Sequence, residues 1–224
     1  GNHDVVNDHW INYQYYLEQR LNEAGISWSG DLGVNSYLSY KGLFIVLSGV
    51  GTLGDNHDSY ILDSLAADDS MWSVVSWHQN HTKMQVGGKL TDVKWPTYEI
   101  CRKAGAIVAT GHEHSYSRTY MLTDLPDSAG SSANPEYDTS RGGDMTNGSS
   151  SNPIILQEGT AEGSNFVFVS GLGGASKRIN YHDYDWMAET YTRRDPGVNY
   201  GALFIIFRVN GQPDKAHGYF KDID

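Results

Sequence analysis

Two histidines stand two positions apart in Gly111-His112-Glu113-His114, directly after an apolar run that predicts a buried strand. In extended backbone, side chains two residues apart point to the same side, so the two imidazoles face one point. Neutral imidazole suits Zn, Fe, Mn or Cu better than it suits Ca. The tetrapeptide therefore indicates a transition-metal site, although two polar loop histidines would give the same pattern.

Two further places in the chain carry residues that could complete such a site. Gly1-Asn2-His3-Asp4 offers the Asn2 amide oxygen as a metal ligand and an Asp4 carboxylate that can orient the His3 ring by accepting a ring N–H. His78 follows the apolar run at 72–77, where a single capping histidine is the simpler interpretation. His81, three residues later, is a weaker candidate for an imidazole that faces the substrate.

Helices and strands must bring these segments together. Ligands of a sheet built from crossover units bind beyond the carboxyl ends of its strands, which is where His78 and the 111–114 motif stand. The sequence therefore predicts that both histidine segments lie at one rim of a largely parallel sheet. Apolar periodicity predicts helices at 10–24, 59–67 and 96–104 and strands at 36–40, 43–48, 72–77 and 106–109.

The second half of the chain has a different character. Residues 124–152 are rich in Ser, Gly, Asp and Asn, which predicts a loop insertion. Strand signals at 165–170, 202–209 and 217–220 predict a second sheet packed on the first. A length of 224 residues is consistent with one domain, 1–224.

Composition limits the classes of function. A formal charge of -11 disfavours nucleic-acid binding, because affinity for a polyanion comes largely from Lys and Arg. No apolar run approaches the ~20 residues that a membrane span needs. Cys101 is the only cysteine, which excludes an intrachain disulfide. The sequons Asn80-His81-Thr82 and Asn147-Gly148-Ser149 predict glycosylation at Asn80 and Asn147 and favour a secreted or cell-surface protein.

The motifs resemble a known family when they are taken in order. Gly-Asn-His-Asp at 1–4, the strand-terminal His78 and Gly-His-x-His at 111–114 are similar to the third, fourth and fifth motifs of the calcineurin-like metallophosphoesterases. The stretches 58–78 and 109–118 resemble the purple acid phosphatase branch. The likeness covers 1 to about 120. It implies an α/β fold of the metallophosphoesterase type, an αββα sandwich of two packed mixed sheets flanked by helices.

The resemblance also implies roles for the site residues. Asn2, His78 and His112 would bind one metal ion and His114 a second, the ions being Fe, Zn or Mn. His3 would be a catalytic group facing the substrate phosphate, and Asp4 would hold its tautomer. No family motif matches His81, and no organic cofactor site is implied. The implied reaction is two-metal hydrolysis of a phosphate ester, with a phosphomonoester preferred to a diester.

The family's first two motifs supply an Asp and a bridging Asp, and they would lie upstream of Gly1. The resemblance therefore implies a catalytic-domain fragment that is incomplete at its N-terminus, with the missing N-terminal segment of the same protein as a partner. Without the bridging carboxylate, two cations would be held by neutral ligands only, so we expect the isolated fragment to be inactive. The oligomeric state and the natural ester stay open.

Three other functions fit parts of the sequence. The first is a secreted structural or adhesive glycoprotein that retains the fold without catalysis, since a glycan on Asn80 would crowd the neighbourhood of His78. The second is a phosphodiesterase of the same superfamily, which would use the same chemistry. The third is a sugar- or Ca-binding module at 124–144, where carboxylates are scattered without the spacing of a Ca loop.

Overall fold

A large mixed β-sheet forms the centre of the protein. The computed structural model describes residues 1–6, 9–91, 93–140 and 163–223. Its helices are α1 (His9–Glu23), α2 (His57–Ala66) and α3 (Trp95–Lys103). Its strands are β1 (Trp28–Asp31), β2 (Asn35–Tyr40), β3 (Leu43–Ser48), β4 (Trp72–Ser76), β5 (Ile107–Thr110), β6 (Tyr116–Thr119), β7 (Met121–Asp124), β8 (Glu136–Asp138), β9 (Val167–Ser170), β10 (Met187–Tyr191), β11 (Gly201–Phe207) and β12 (Ala216–Asp222).

Eight of these strands make the central sheet, in the order β1-β2-β3-β4-β5-β9-β6-β10. The four middle strands, β3, β4, β5 and β9, are parallel, and the pairs at both edges are antiparallel. Helices α2 and α3 make the two crossovers from β3 to β4 and from β4 to β5. The carboxyl ends of the parallel strands therefore meet at one edge, where ligands of such sheets bind.

Alternating side chains send apolar groups to both faces of the sheet. Phe44 and Val46 of β3 pack on α2 and α3 on one face. Ile45 and Leu47 of the same strand pack on α1 on the other face. The antiparallel hairpin β11–β12 covers that second face beside α1, with the Phe207 ring 5.2 Å from the Trp72 ring. The core therefore consists of two apolar layers, one on each side of the sheet.

The α/β class with a large mixed sheet flanked by helices is confirmed. One expectation about the second layer was wrong: β9 lies inside the large sheet between β5 and β6, and only the later strands of that expectation, β11 and β12, form a separate two-stranded sheet. The predicted insertion at 124–152 begins in β7 and contains β8, which pairs with β7. Within the described ranges, no helix is both long and apolar enough to cross a membrane.

Candidate metal centre

The loops after β4 and β5 lie side by side at the carboxyl edge of the sheet. His78 stands in the first loop and His112 in the second. The backbone N–H groups of Gly111 and His112 donate to the carbonyl oxygen of His78 over 3.2 and 3.0 Å. The parallel pairing of the two strands thus extends into the loops and sets the distance between the two histidines.

Three donor atoms converge beside these loops. The Nε2 atom of His78 lies 2.8 Å from Oδ1 of Asn2 and 3.1 Å from Nδ1 of His112. The two imidazole rings are 4.9 Å apart and inclined at 73°. At most one hydrogen can lie between the two ring nitrogens, so the space between the three groups is lined mostly by lone pairs.

Burial, with the nearby positive charges, keeps both imidazoles neutral. Burial, followed by the charges of the N-terminus and Lys89, lowers the pKa of His78 to about 4. Burial, followed by Lys89 and His78, lowers the pKa of His112 to about 3. Both rings therefore hold lone pairs at neutral pH, and a neutral imidazole is the form that binds a metal ion.

The donor types fit a metal ion of the zinc type. Donor atoms of a tetrahedral zinc shell lie about 3.3 Å apart, given Zn–N bonds of about 2.0 Å, so the two contacts of His78 Nε2, at 2.8 and 3.1 Å, would lengthen by only a few tenths of an ångström. The set depends on the amide oxygen: in the described part of the chain, no group of three or more His, Cys, Asp or Glu side chains could hold a metal. We name Asn2, His78 and His112 the three-donor cluster.

His114 makes its contacts outside the three-donor cluster. Its Nδ1 atom lies 2.8 Å from the carbonyl oxygen of Ser176, and its Nε2 atom lies 3.1 Å from Nζ of Lys89. A carbonyl oxygen only accepts, so Nδ1 carries the ring hydrogen and Nε2 carries the lone pair. His114 is close enough for its charge to lower the pKa of His112 further.

Lys89 and Glu113 are parts of the site that the motif analysis missed. The Glu113 side chain is 0% exposed and accepts from the backbone N–H of His114 at 3.1 Å and of Lys89 at 3.2 Å. Lys89 also donates from Nζ to the carbonyl oxygen of His112. Burial lowers the pKa of Lys89, as does the nearby Arg178. For Glu113, the signal in the sequence was an acidic residue inside the Gly-His-x-His motif.

His3 and Asp4 lie beside the three-donor cluster without joining it. The His3 side chain is exposed, and its charge acts on His78. The carboxylate of Asp4 forms its ion pair with the Gly1 ammonium. No hydrogen bond joins Asp4 to the His3 ring among the contacts of the described residues, so the expected orienting contact is not formed in this conformation.

Asn80 is a buried structural residue of the same loops. It is 0% exposed, donates from Nδ2 to Thr110 Oγ1 and accepts at Oδ1 from the backbone N–H of Glu113 at 3.2 Å. A buried amide with these partners has no room for a glycan, so the structure contradicts the expected glycosylation at Asn80 in the folded chain. The second sequon, at Asn147, lies outside the described residues.

His81 also has a structural position. Its ring stacks on Trp95 with 3.8 Å between centroids, and its Nδ1 atom accepts from the backbone N–H of Lys83, which caps a short 3-10 helix. Burial lowers the pKa of His81 to about 4. These contacts account for His81 without a role toward substrate.

A crevice of about 300 Å³ opens beside His78, between α1 and the ends of β3, β4 and β5. Trp10 and Tyr13 of α1 line one side, and their rings stack with centroids 5.2 Å apart. Ser48 and Thr110 line it at the strand ends, where their hydroxyl groups contact His57 and Asn80. The crevice thus offers an aromatic wall and polar groups next to the three-donor cluster.

Comparison with family models and with curated proteins finds no match for this chain. Among solved structures, a purple acid phosphatase from yellow lupin (Lupinus luteus) seeds matches with a TM-score of 0.48 and 14% sequence identity. The match covers 83% of this chain and 32% of the lupin chain, so this chain spans about a third of the length of that neighbour.

Proposed function

We propose that this chain carries the metal-binding part of a phosphate-ester hydrolase of the acid phosphatase type, in which Asn2, His78 and His112 hold a metal ion. The observation that carries the proposal is the convergence of Asn2 Oδ1 and His112 Nδ1 on His78 Nε2, at 2.8 and 3.1 Å. The order of the motifs along the chain supports the same reaction class.

The proposal assigns the chemistry of hydrolysis to a metal ion, His3 and Asp4. Asn2, His78 and His112 would hold a metal ion, which would supply a Lewis acid and positive charge for a phosphate in a chain whose formal charge is -11. The exposed His3, beside the cluster, donates a proton to the leaving group, and Asp4 orients His3 when substrate is bound. The resemblance assigns a second ion, with Fe, Zn or Mn in either position, to His114.

The proposed substrate is a small phosphomonoester. The crevice beside His78, at about 300 Å³, is at the lower end of the volumes that hold small ligands. The acidic chain disfavours a nucleic-acid polymer as substrate. A phosphodiester would be hydrolysed by the same groups, so the preference for a monoester requires a direct comparison of the two ester classes.

The rival function, a structural or adhesive glycoprotein, is weakened because Asn80, whose glycan was part of the argument for it, is buried. Secretion or cell-surface location stays part of our proposal, and among the two sequons only Asn147 supports it. His78 Nε2 can carry only one hydrogen, so its two contacts, with Asn2 Oδ1 and with His112 Nδ1, cannot both take a proton from His78. The metal-binding hypothesis explains that arrangement directly.

Metal binding tests the proposal first. The dialysed chain is titrated with Zn²⁺ by calorimetry, alongside His78→Ala, His112→Ala and the control His217→Ala, whose histidine lies in β12 beside Tyr219. We expect the control to match the wild type and both cluster variants to bind at least about 100-fold more weakly. Equal affinity in all four proteins would overturn the proposal.

Hydrolysis tests it second. The natural gene product that contains this chain is assayed with p-nitrophenyl phosphate and with bis(p-nitrophenyl) phosphate. We expect a higher kcat/KM for the monoester, its loss in His112→Ala, and no change in His217→Ala. The same rate in the His112→Ala variant and the wild type would contradict a catalytic role for the cluster, and a preference for the diester would favour a phosphodiesterase.

A further inference from the structure

Lys89 is fixed on the His114 side of the candidate metal centre by two buried side chains. Its backbone N–H donates to Oε2 of Glu113 over 3.2 Å, and its carbonyl oxygen accepts from Nε2 of Gln85 over 2.5 Å. Glu113 is 0% and Gln85 1% exposed. The lysine backbone is thus held from both sides, which is unusual for a residue in a glycine-rich surface loop.

The side chain of Lys89 points at the two histidines. Its Nζ atom donates to the carbonyl oxygen of His112 and lies 3.1 Å from Nε2 of His114. Because Nδ1 of His114 donates to Ser176, Nε2 carries the lone pair and accepts from the lysine. The lone pair through which His114 would bind a metal ion is therefore used by an ammonium group of this chain.

We propose that the Lys89 ammonium takes the place of a second metal ion at His114, so that the site binds one metal ion and Lys89 supplies the second positive charge that faces the phosphate. This inference rests on the proposed function, because it requires the first ion at Asn2, His78 and His112. It replaces the two-ion centre that the resemblance implies with a centre of one ion and one lysine.

Electrostatics favours the lysine over a second ion. Two divalent ions near each other repel with a charge product of four, whereas a divalent ion and an ammonium repel with a product of two. The ligands of the three-donor cluster are neutral, so within this chain they do not offset that repulsion. The charge of the buried Glu113 carboxylate acts on Lys89 and, at 3.9 Å, on Arg178, and so offsets part of their positive charge.

The arrangement also gives Lys89 a role with substrate. A metal ion at the three-donor cluster and an ammonium at His114 would flank the same rim of the sheet, since His112 contributes its ring to the cluster and its carbonyl oxygen to Lys89. A phosphate bound at the metal would then lie within reach of a second cation. The lysine ammonium binds phosphate as a point charge, so the interaction does not require a fixed bidentate geometry.

Metal stoichiometry separates the two arrangements. The natural gene product that contains this chain, its His112→Ala variant and its His114→Ala variant are equilibrated with excess Zn²⁺, desalted and analysed for zinc per chain. We expect about one zinc in the wild type and in His114→Ala, and none in His112→Ala. Two zinc ions in the wild type that fall to one in His114→Ala would overturn the inference and leave the proposed function standing. No zinc in the wild type would overturn the proposed function itself.

Phosphate binding tests the second half of the inference. Inorganic phosphate is titrated into the Zn²⁺-loaded wild type, Lys89→Met, Lys89→Arg and the control Lys103→Met, whose lysine is 65% exposed at the end of α3. We expect Lys89→Met to weaken binding at least about tenfold, with Lys89→Arg and the control close to wild type. Unchanged affinity in a folded Lys89→Met protein would contradict a role for Lys89 with phosphate.

The zinc content of the wild type and of His114→Ala is measured without any Lys89 variant, so misfolding of Lys89→Met would not affect that test. A Lys89→Met protein that fails to fold by circular dichroism is replaced by Lys89→Gln, which retains a polar end at the His112 carbonyl oxygen. The same two outcomes for phosphate affinity then apply to Lys89→Gln.

Discussion

The Nε2 atom of His78 lies 2.8 Å from Oδ1 of Asn2, across 76 residues of sequence. This contact joins the segment before α1 to the loop after β4. It spans more of the sequence than the contact between His78 and His112, which are 34 residues apart and stand in the loops after two adjacent strands. The position of Asn2 is therefore the part of the site that depends most on long-range packing.

Substitution of Asn2 should separate its role as a ligand from its role in packing. We expect Asn2→Leu, which has similar volume and no donor atom, to weaken Zn²⁺ binding by about 10- to 100-fold. We expect Asn2→Asp to bind at least as tightly as the wild type, because a carboxylate is a stronger ligand than an amide. Competition with a chromophoric chelator measures both affinities, and equal binding by Asn2→Leu and the wild type would remove Asn2 from the site.

Glu113 should contribute strongly to stability. Glu113→Ala removes a fully buried carboxylate and leaves two partly buried backbone N–H groups, those of Lys89 and His114, without that partner. We expect a loss of about 3 kcal/mol in the free energy of unfolding, and a smaller loss in Glu113→Gln, which retains one accepting oxygen. Urea unfolding measures both. The exposed Glu136→Ala serves as the control and should change stability by less than about 0.5 kcal/mol.

Gly87 lies against the carboxyl group of Glu113. A methyl group added at Gly87 would overlap the carboxyl carbon of that buried side chain. We expect Gly87→Ala to lower the free energy of unfolding by about 1 to 3 kcal/mol and to displace Lys89 from His114. Gly173→Ala is the matched control, because nothing lies within 4 Å of the added carbon there. Similar unfolding midpoints for the two variants would contradict the close packing at Gly87.

The half-buried His81 should make stability depend on pH. Its pKa is lowered to about 4 in the folded chain, chiefly by burial and then by Lys83 and Lys94, against about 6.5 when unfolded. Between pH 6.5 and 4 the unfolded chain therefore binds a proton that the folded ring does not, so stability falls as the pH falls through this window.

Urea unfolding in the presence of a chelator, at pH 7.0, 5.5 and 4.5, measures this dependence. We expect the loss of stability between pH 7.0 and 4.5 to be smaller in His81→Gln than in the wild type, because the variant has no ring to protonate. The same slope in the two proteins would show that His81 does not titrate in this range.

Much of the fold could be predicted because its main elements carry strong apolar periodicity. The alternation in β3 and the spacing in α1 and α3 identify those elements, and the crossovers then place both histidine loops at one edge. The strand β6 was missed because Tyr116, Ser117, Arg118 and Thr119 are all buried in the sheet, so their polar side chains give no alternating pattern. The short edge strands β1 and β10 carry equally little signal.

The site could be predicted only as far as its motifs reach. Asn2, His78 and His112 are in recognisable positions, and the structure brings them together. Lys89 could not be found in this way, because its contact with His114 depends on the path of the loop at 85–91, which no periodicity fixes. That path follows from the burial of Glu113, a property of the folded chain that neighbouring sequence does not show.

Asn80 has a consequence for the motions of the site. Its one side chain bonds to Thr110 at the end of β5 and to the backbone of Glu113, while its own backbone belongs to the loop that carries His78. The two histidine loops therefore cannot separate without breaking the same buried amide contacts. In hydrogen exchange, they should open together as a single cooperative unit, and the geometry between their histidines should persist through fluctuations of the surrounding surface.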